Sequence, residues 1–448
     1  MKRLAKWPCL LFAAASFASA AEPDLDAVVK DRVAASATPA CVAVAWAGET
    51  VREAFACTEG IAPVPFDRDS AFEIGSITKG FTGLLLADMV LKGEVSLDDP
   101  ASKYSRPGAK LPAFEGREIT LRDLVTQTSG LPRLPPNLAP KDYRNPYADF
   151  DADALYAGLA QAEIRHPIGK TPEYSNFGFM WLSDILARRG GKPFDVLMKE
   201  RVLDPLGMTQ TFFVPTQAQR ARMVQPHAAP YEPTPPWDWD VDVSGMGMLR
   251  SSLADMEKLA LALAGRRDTP LKEAIALALD PLRPATGGNF TGYAWVTTSR
   301  DGMLIHWHNG ATGGSHAMIA VNPRSKTAAV ALVNSTASFD DLPLHLVEPK
   351  YPVTRRHTRA ALDPEARAQF AGRYEFDPTH VLDVFIEGDG LMARLTGQQA
   401  FEIGYEGKDT FFTIGVNATL EFKRNDKGAI DAVVLHQGGR EMRAPRLP

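Results

Sequence analysis

The sequence predicts a mixed α/β unit followed by a smaller all-β unit. The chain has 448 residues, which is more than one compact core usually contains, so two folded units are expected. Up to about residue 340, helical patterns of apolar residues stand beside strand-like apolar runs. Beyond residue 362, short strands with alternating hydrophobicity follow one another at even spacing, which is typical of a small antiparallel barrel or sandwich.

The helices of the first unit are predicted from apolar residues at helical spacing. The pattern over 77–92 is apolar on nearly every side, which indicates a buried helix, and Gly93 is placed to end it. Segments 130–150 and 225–240 are rich in proline and are predicted to be loops. The other predicted helices cover 24–35, 174–189 and 252–264, and the strand-like runs cover 317–321 and 328–333.

The N-terminal segment has the features of an export signal. Three basic residues precede an apolar run over 10–17, and the Ala-Ser-Ala sequence at 18–20 fits the small-residue cleavage rule. Residues 1–20 are therefore predicted to be a signal peptide, with an uncleaved anchor as the less favoured alternative. The mature protein is expected in the periplasm or outside the cell, with no stable membrane insertion. A formal net charge of -5 argues against a nucleic acid partner.

Two cysteines remain after that cleavage. Cys41 and Cys57 flank two extended runs joined by a turn near Glu49, so a hairpin would place them roughly opposite each other. An oxidising compartment permits a disulfide at such a position. Two small buried thiols are an equally good interpretation of the sequence.

Ser76 and Lys79 form the candidate catalytic pair. Three residues apart on a helix, their side chains lie on one face. A serine hydroxyl is a weak nucleophile until a base takes its proton, and a lysine amine can do so when burial and neighbouring charge lower its pKa. Ser76 also stands near a helix start, where free N–H groups can face a developing oxyanion. The spacing alone also fits a capping serine beside a solvated lysine.

The surrounding sequence closely resembles the serine β-lactamase and penicillin-binding protein superfamily, particularly the class C β-lactamases and their esterase and D-peptidase relatives. The likeness spans roughly residues 25–340, and one departure is Gln127, where many members carry histidine. The resemblance implies an antiparallel sheet flanked by helices, beside a helical part, and acyl transfer without a cofactor. The runs that carry it are FEIGSITKGFTG at 72–83, GEVSLDDP at 93–100, ITLRDLVTQTSGLP at 119–132 and PLGM at 205–208.

The second motif of that superfamily, Tyr-x-Asn, matches Tyr174-Ser175-Asn176. By resemblance, Tyr174 shares the proton relay with Lys79, and Asn176 binds the substrate amide. A phenol with a lowered pKa is expected to protonate the leaving group and then activate water. A core tyrosine beside a helix-capping asparagine is the alternative interpretation.

The third motif is usually Lys-Thr-Gly on a strand, and here His308-Asn309-Gly310 takes its place, followed by Ala311. Small residues are needed there so that a backbone can approach the substrate. By resemblance, the N–H groups of Ser76 and Ala311 form the oxyanion hole. A histidine near its reference pKa is only partly charged, so it binds a free carboxylate less strongly than lysine does. This shifts the expected substrates toward peptides with other termini, amides or esters.

A zinc site is the alternative interpretation of the histidines in this region. His306, His308 and His316 offer ring nitrogens, and residues two apart on a strand share a face. No carboxylate or cysteine in the sequence completes a recognisable ligand set, and the third motif already accounts for His308. We therefore expect neither a metal nor another cofactor.

The predicted organisation is a signal peptide (1–20), a catalytic unit (22–345), a linker (346–362) and a C-terminal unit (363–448). The last resembles the lipocalin-like barrels appended to some of these hydrolases. The predicted function is that of an exported serine hydrolase that forms an acyl-enzyme on Ser76 with D-amino-acid peptides or β-lactams. A carboxylesterase on the same scaffold and a penicillin-binding sensor that acylates without turnover are the alternatives. Each of them acts on a small molecule or a peptide.

Overall fold

The computed structural model describes residues 23–36, 38–62, 66–229, 231–300, 302–355, 357–377, 380–396, 400–413, 418–437 and 440–448. The signal peptide predicted for 1–20 lies outside these residues. Across the described ranges, no helical stretch combines the length and the hydrophobicity that crossing a bilayer requires.

The first unit is built on an eight-stranded antiparallel sheet. The strands of this unit, in chain order, are β1 (Cys41–Ala47), β2 (Val51–Cys57), β3 (Ala71–Glu73), β4 (Ala113–Phe114), β5 (Arg117–Glu118), β6 (His227–Ala228), β7 (Glu232–Pro233), β8 (Arg250–Ser252), β9 (Arg283–Pro284), β10 (Phe290–Thr291), β11 (Val296–Arg300), β12 (Met303–Ala311), β13 (His316–Asn322) and β14 (Thr327–Val333). The strand order in the main sheet is β2-β1-β14-β13-β12-β11-β10-β9. Strands β3 to β8 form three small pairs outside the main sheet.

Helices pack on both faces of this sheet, as the family resemblance implies. The helices of the described chain are α1 (Leu25–Ala34), α2 (Thr78–Leu91), α3 (Leu121–Val125), α4 (Ala152–Gln161), α5 (Asn176–Gly190), α6 (Phe194–Met198), α7 (Asp204–Leu206), α8 (Gln217–Arg220), α9 (Leu253–Leu263), α10 (Lys272–Leu279), α11 (Asp341–Val347) and, in the C-terminal unit, α12 (Pro364–Arg367). Helix α9 packs on one face of β1 and β14, and α1 and α11 pack on the sheet beside the second core.

Alternate residues of the central strands enter two different cores. In β1, Ala43 and Ala45 face the core that contains α2 and α9, whereas Val42 and Val44 face the core beneath α1 and α11. Because both faces are buried, these strands read as continuous apolar runs rather than as alternating patterns.

The hairpin at the edge of the sheet joins Cys41 and Cys57. The two residues are direct register partners in the antiparallel β1–β2 pair. The structure links them by a disulfide, with 4.0 Å between their Cα atoms. Of the two interpretations left open by the sequence, the structure therefore contains the disulfide.

Helix α2 is the buried helix expected after Ser76. Its residues from Thr78 through Met89 are all buried. The Glu94 N–H donates to the Met89 carbonyl at 3.0 Å, and Gly93 adopts a φ of +68°. A left-handed residue followed by this hydrogen bond is the usual glycine C-cap, which confirms the predicted end of the helix.

The C-terminal unit is a nearly closed antiparallel barrel, which confirms the predicted architecture. Each strand pairs with the next along the chain, and the first and last strands meet at a bridge between Tyr374 and Arg446. The strands are β15 (Gly372–Asp377), β16 (His380–Glu387), β17 (Gly390–Leu395), β18 (Phe401–Gly407), β19 (Thr410–Thr413), β20 (Ala418–Arg424), β21 (Ile430–Gln437) and β22 (Arg440–Pro445). Of these, the sequence pattern did not predict β15, β18 and β22.

Candidate active site

Ser76 and Lys79 meet at the start of α2. Ser76 lies in a 3₁₀ turn, Gly75–Ile77, that leads directly into the helix, and Lys79 is the second helical residue. Lys79 Nζ is 3.1 Å from Ser76 Oγ. The same amine donates a hydrogen bond to the Met246 carbonyl at 2.5 Å. The amine is therefore held within hydrogen-bond reach of the hydroxyl by a contact from a distant part of the chain.

The environment of Lys79 disfavours its charged form. Its side chain is completely buried, with 0% exposure. Burial is the main reason why the pKa of Lys79 lies well below its ordinary value, and the Arg133 cation lowers the pKa further. The sequence-based expectation that burial and neighbouring charge lower this pKa is confirmed.

Tyr174 completes the cluster but lies just outside α5. The helix begins at Asn176, and the Ser175 hydroxyl caps it by accepting from the Gly178 N–H at 2.9 Å. The Tyr174 side chain is hydrogen bonded to Ser76, and its ring centroid is 4.8 Å from Lys79 Nζ. The predicted start of this helix at residue 174 is therefore two residues early, because the chain enters the helix through a capping serine.

The predicted lowering of the Tyr174 pKa is wrong. Burial raises the pKa of Tyr174 to about 12, and the hydrogen bond from Ser76 offsets only part of that effect. A phenol is neutral when protonated, so removing it from water favours the protonated form. The Tyr174 phenol is therefore protonated near neutral pH.

Gln127, which departs from the family pattern, holds the Tyr174 segment in place. Its side-chain oxygen accepts from the Ser175 N–H at 2.7 Å, and its carbonyl accepts from the Glu173 N–H at 2.8 Å. The two hydrogen bonds stand on either side of Tyr174. The glutamine thus holds the tyrosine in position. The backbone of Gln127 itself has a φ of +58°, which is unusual for a residue other than glycine.

Asn176 presents an open acceptor to the cavity beside Ser76. Its side chain is hydrogen bonded to that of Tyr147, and within the described part of the chain its buried Oδ1 atom has no partner. A buried carbonyl oxygen without a donor is costly unless a ligand supplies one. The arrangement fits the role that the resemblance implies, contact with a substrate amide.

Strand β12 lies directly against the Gly75–Ile77 turn, which carries the proposed nucleophile Ser76 and is called the nucleophile turn below. A Cβ atom at Gly310 would lie 2.0 Å from the Ile74 oxygen and 2.7 Å from the Ser76 nitrogen. Gly75 has a φ of +48°, and a Cβ there would lie 2.6 Å from the Ala311 nitrogen. The two backbones touch only because both positions lack a side chain, as the sequence predicts for Gly310.

His308 is a neutral, buried residue rather than a partly charged anchor. Its exposure is 4%, and its Nδ1 atom is 2.6 Å from the Asn309 carbonyl. Burial lowers the pKa of His308 to about 4, and the nearby Lys79 amine lowers it as well. The expectation of a pKa near the reference value is therefore wrong, because a ring packed beside Lys79 and away from water does not accept a proton easily.

The remaining histidines of the region face separate partners. His316 Nε2 is 2.7 Å from Asp340 Oδ1, and Asn309 donates to Asp340 Oδ2 at 2.7 Å. His306 Nδ1 is 2.9 Å from the Thr297 hydroxyl. Among the described residues, no group of three or more His, Cys, Asp or Glu side chains is arranged to hold a metal ion.

These residues surround a cavity of about 530 Å³ that contains Ser76. Arg133 carries the one formal charge among its lining residues, and its side chain is exposed. A larger cavity of about 1050 Å³ lies between α9, α10 and the sheet, and it does not include Ser76. The smaller cavity is the one beside the Ser76 cluster, and it is lined by Ser76, Arg133, Leu134, Tyr147, Tyr174, Asn176, Trp237, Asn309, Gly310 and Ala311.

Sequence reasoning missed four of these lining residues, namely Arg133, Leu134, Tyr147 and Trp237. Arg133 directly follows the family-like run that ends at residue 132, which was a usable signal. Trp237 belongs to the segment interpreted only as a proline-rich loop, and Tyr147 carries no local signal. The ring of Tyr147 packs edge-on against Trp237, with 5.5 Å between centroids. Only the tertiary packing of two loops creates this aromatic wall.

A buried ion pair involves Glu73, in the segment just before Ser76. Arg250 and Glu73 lie 3.6 Å apart, with exposures of 1% and 6%. Glu73 accepts from the Trp237 N–H and from the Thr312 hydroxyl, each at 2.7 Å. Burial raises the pKa of Glu73, and the Arg250 charge opposes that shift. The carboxylate thereby ties the nucleophile segment to the aromatic loop and to the end of β12.

The chain is similar to known protein families over both of its units. The beta-lactamase family model matches residues 25–347. This chain belongs to the beta-lactamase family. The resemblance inferred from the sequence motifs is thereby confirmed, and serine hydrolase is the enzyme type of the family relatives. The C-terminal unit of this beta-lactamase family chain matches a domain of unknown function, DUF3471, over residues 357–445.

Two curated relatives are named as a peptidase and as a penicillin-binding protein. The D-alanyl-D-alanine-carboxypeptidase/endopeptidase AmpH of Escherichia coli K12 is 37% identical over 156 residues, which cover 35% of this chain. The match spans 40% of the length of the AmpH protein. Penicillin-binding protein 4* of Bacillus subtilis is 23% identical, over 85% of this chain and 89% of its own length.

Solved structures share the fold at low sequence identity. A beta-lactamase/D-alanine carboxypeptidase from Yersinia pestis matches 70% of this chain and 93% of its own, with 22% identity and a TM-score of 0.60. An octameric penicillin-binding protein homologue from Pyrococcus abyssi matches 93% of this chain and 98% of its own, with 19% identity and a TM-score of 0.63.

Proposed function

We propose that this protein is an exported serine hydrolase that forms an acyl-enzyme on Ser76 and acts on D-amino-acid-containing peptides or β-lactams. The observation that carries the proposal is the buried Lys79 amine, 3.1 Å from Ser76 Oγ, whose pKa lies well below its ordinary value. A lower pKa increases the fraction of neutral amine, which is the form that can accept the proton of the serine hydroxyl. The names of the relatives, carboxypeptidase and penicillin-binding protein, support this substrate class.

Each atom of the cluster has a role in the proposed reaction. Ser76 Oγ attacks the substrate carbonyl, and its proton passes to Lys79 Nζ. The Tyr174 phenol, with a pKa of about 12, donates a proton to the leaving group as the carbonyl–leaving group bond breaks. The proton held by Lys79 then replaces the one lost by Tyr174. Water releases the acyl group by the reverse series of transfers.

Two backbone N–H groups are proposed to stabilise the oxyanion. The Ser76 nitrogen stands at the turn before α2, and the close approach of Gly310 brings the Ala311 nitrogen beside it. Donors fixed by the backbone need no reorganisation as negative charge develops. Asn176 Oδ1 accepts an N–H from the substrate in this proposal.

Export is proposed from two independent features. The sequence over 1–20 has the form of a signal peptide. The Cys41–Cys57 disulfide suits an oxidising compartment. A periplasmic or secreted location is consistent with both.

The decisive experiment replaces the nucleophile. Ser76→Ala removes the only atom proposed to form the acyl bond, so turnover and labelling by a serine-directed fluorophosphonate should fall to background. The matched control is Ser325→Ala, a change at an exposed turn serine, which should keep both signals. Full activity or labelling in Ser76→Ala would refute the assignment.

A carboxylesterase activity is the second candidate, and the neutral state of His308 favours it. A buried imidazole with a pKa of about 4 supplies no cation where the family's lysine stands. A panel of nitrocefin, D-alanyl peptides, D-amino-acid amides and p-nitrophenyl esters separates the two activities by their relative kcat/KM values. A stable adduct without steady product formation on every substrate would instead identify a penicillin sensor.

A further inference from the structure

We propose that Arg133 forms a subsite for a carboxylate on the acyl portion of the substrate. The inference rests on the proposed function of Ser76 and adds a substrate class to it: acyl groups that carry both an amide N–H and an anionic group. It assigns a binding role to a residue outside the three recognised motifs.

The position of Arg133 suits it to bind a ligand. The residue lines the cavity that contains Ser76, and its side chain is exposed. Its guanidinium carbon is 5.0 Å from the centroid of the Tyr174 ring, a stacking position that restrains the cation. Its carbonyl accepts from the N–H groups of Asn176 at 2.9 Å and Phe177 at 3.3 Å. The backbone of Arg133 is therefore joined to the start of α5.

Arg133 also lacks a carboxylate partner within the part of the chain that the structure describes. The ion pairs found there engage other arginines, including Arg250 and Arg283. A planar guanidinium presents a fork of donors that matches a carboxylate. The Arg133 guanidinium is exposed, is restrained by the Tyr174 ring and lines the cavity. A group in this position, without an ion-pair partner among the described residues, is suited to bind an anionic group of a ligand.

The opposite wall of the cavity offers no competing cation. His308 is uncharged near neutral pH because burial lowers its pKa to about 4. Asn309 is engaged with the Asp340 carboxylate at 2.7 Å, and His316 contacts the same carboxylate. An anion on the β12 side would therefore face Asn309 with the Asp340 carboxylate behind it, whereas on the α5 side it would meet Arg133. The charge distribution selects the α5 side.

The position of Asn176 indicates which part of the substrate bears the charge. Its open Oδ1 acceptor is proposed to take an N–H of the acyl group, and its own N–H is bonded to the Arg133 carbonyl. The two residues are therefore neighbours. A carboxylate that reaches Arg133 then belongs to the same acyl group as the amide bound by Asn176.

The test compares matched esters on the full-length enzyme. The substrates are 4-nitrophenyl butyrate (neutral), mono-4-nitrophenyl glutarate (carboxylate on the acyl group) and 3-carboxyphenyl butyrate (carboxylate on the leaving group). In Arg133→Gln, kcat/KM for the glutarate ester should fall about 10- to 100-fold relative to the neutral ester, the usual effect of losing a charged hydrogen bond. Arg133→Lys should restore part of the loss.

Two controls isolate the subsite from other effects. Arg220→Gln removes an exposed arginine of α8 and should leave the ratio of the two rates unchanged. Removing the Arg133 cation also raises the pKa of Lys79, so full pH profiles are recorded and the ratio is taken where both enzymes reach their plateau. An unchanged ratio in Arg133→Gln overturns the proposal, and a selective loss on 3-carboxyphenyl butyrate overturns the acyl-side assignment.

A binding measurement separates this proposal from the proposed catalysis. Glutarate monomethylamide carries one carboxylate, and glutarate bis(methylamide) carries none. Calorimetry on Ser76→Ala should find the monomethylamide bound at least tenfold more tightly, and the preference should vanish in Ser76→Ala/Arg133→Gln. That result supports the subsite even when no ester is hydrolysed. Equal affinities in Ser76→Ala overturn the subsite even when Ser76 is confirmed as the nucleophile.

Discussion

At the scale of single residues, burial controls the protonation states of the site. Lys79, Tyr174 and His308 are all removed from water, and each is shifted toward its neutral form. The result is a cluster in which burial disfavours the charged form of each of these three side chains. Arg133 is exposed and is the charged residue among those that line the cavity, so it makes the electrostatic potential there more positive for a substrate.

A pH effect on stability follows from His308. Its pKa is about 4 in the folded protein against an ordinary value of 6.5, so between these values the unfolded chain binds a proton that the folded chain does not. Stability is therefore lost as the pH falls, by about 2 kcal/mol at pH 5 for one such group. Urea unfolding of the parent and of His308→Gln at pH 7.5 and pH 5 should show a smaller loss in the variant.

The comparison variant for this measurement is His306→Gln. The pKa of His306 is also lowered to about 4 by burial, so this change should remove a similar part of the acid sensitivity. Equal losses of stability in the parent and in both variants would contradict the neutral, buried state of these rings.

For single residues, the sequence predicts which residues form the candidate site better than it predicts their pKa values. Ser76, Lys79, Tyr174 and Asn176, which the structure brings close together, were all predicted from motifs because a motif is defined by residue type and spacing alone. The pKa of Tyr174 was predicted with the wrong sign. Desolvation depends on which distant segments cover a side chain, and spacing along the chain carries no information about that.

At the scale of elements, the contact between β12 and the nucleophile turn builds the site. The turn before α2 and the end of β12 approach each other closely enough that neither Gly75 nor Gly310 can carry a side chain without displacing backbone. The buried Glu73 then joins this contact to the loop that carries Trp237. The end of β12 and the loop that carries Trp237 are therefore both fixed relative to Ser76.

Gly310→Ala should damage both stability and activity. Its Cβ would lie 2.0 Å from the Ile74 oxygen, so the strand must move away from the turn that holds Ser76. Such overpacking costs about 1–3 kcal/mol. The same movement separates the two proposed oxyanion donors, so kcat should fall by at least tenfold.

Gly390→Ala is the matched control for this prediction. It lies at the start of β17, and the nearest atom to its Cβ would be at an ordinary distance of 3.6 Å. Thermal unfolding and ester hydrolysis are measured for both variants. A Gly310→Ala enzyme with parental activity would contradict the close approach of β12 to the nucleophile turn.

At the scale of the whole molecule, the catalytic unit and the barrel have separate cores. The two cores of the first unit lie on the two faces of its sheet, and the barrel core is formed around Phe370, Phe411 and Phe422. Between α11 and α12, the described residues form neither helix nor strand. Units with separate cores joined in this way are expected to unfold as separate transitions.

Calorimetry of core variants should resolve these transitions. Phe370 is 1% exposed, and its ring lies 4.8 Å from that of Phe411, so Phe370→Ala should destabilise the barrel by about 3–5 kcal/mol. The matched change Phe339→Ala, at a fully buried residue of the first unit, should shift the other transition. A single transition that moves as one in both variants would contradict the independence of the two units.

The family, the Ser76–Lys79 pair as a catalytic candidate, the buried helix after Ser76 and the barrel of the C-terminal unit were all predicted from the sequence. These predictions use residue type and local periodicity, which need no knowledge of the packing. The neutral state of His308, the protonated state of Tyr174 and the place of Arg133 in the cavity depend on the tertiary structure. Desolvation and charge act through space, so they are set by segments that are remote in the chain.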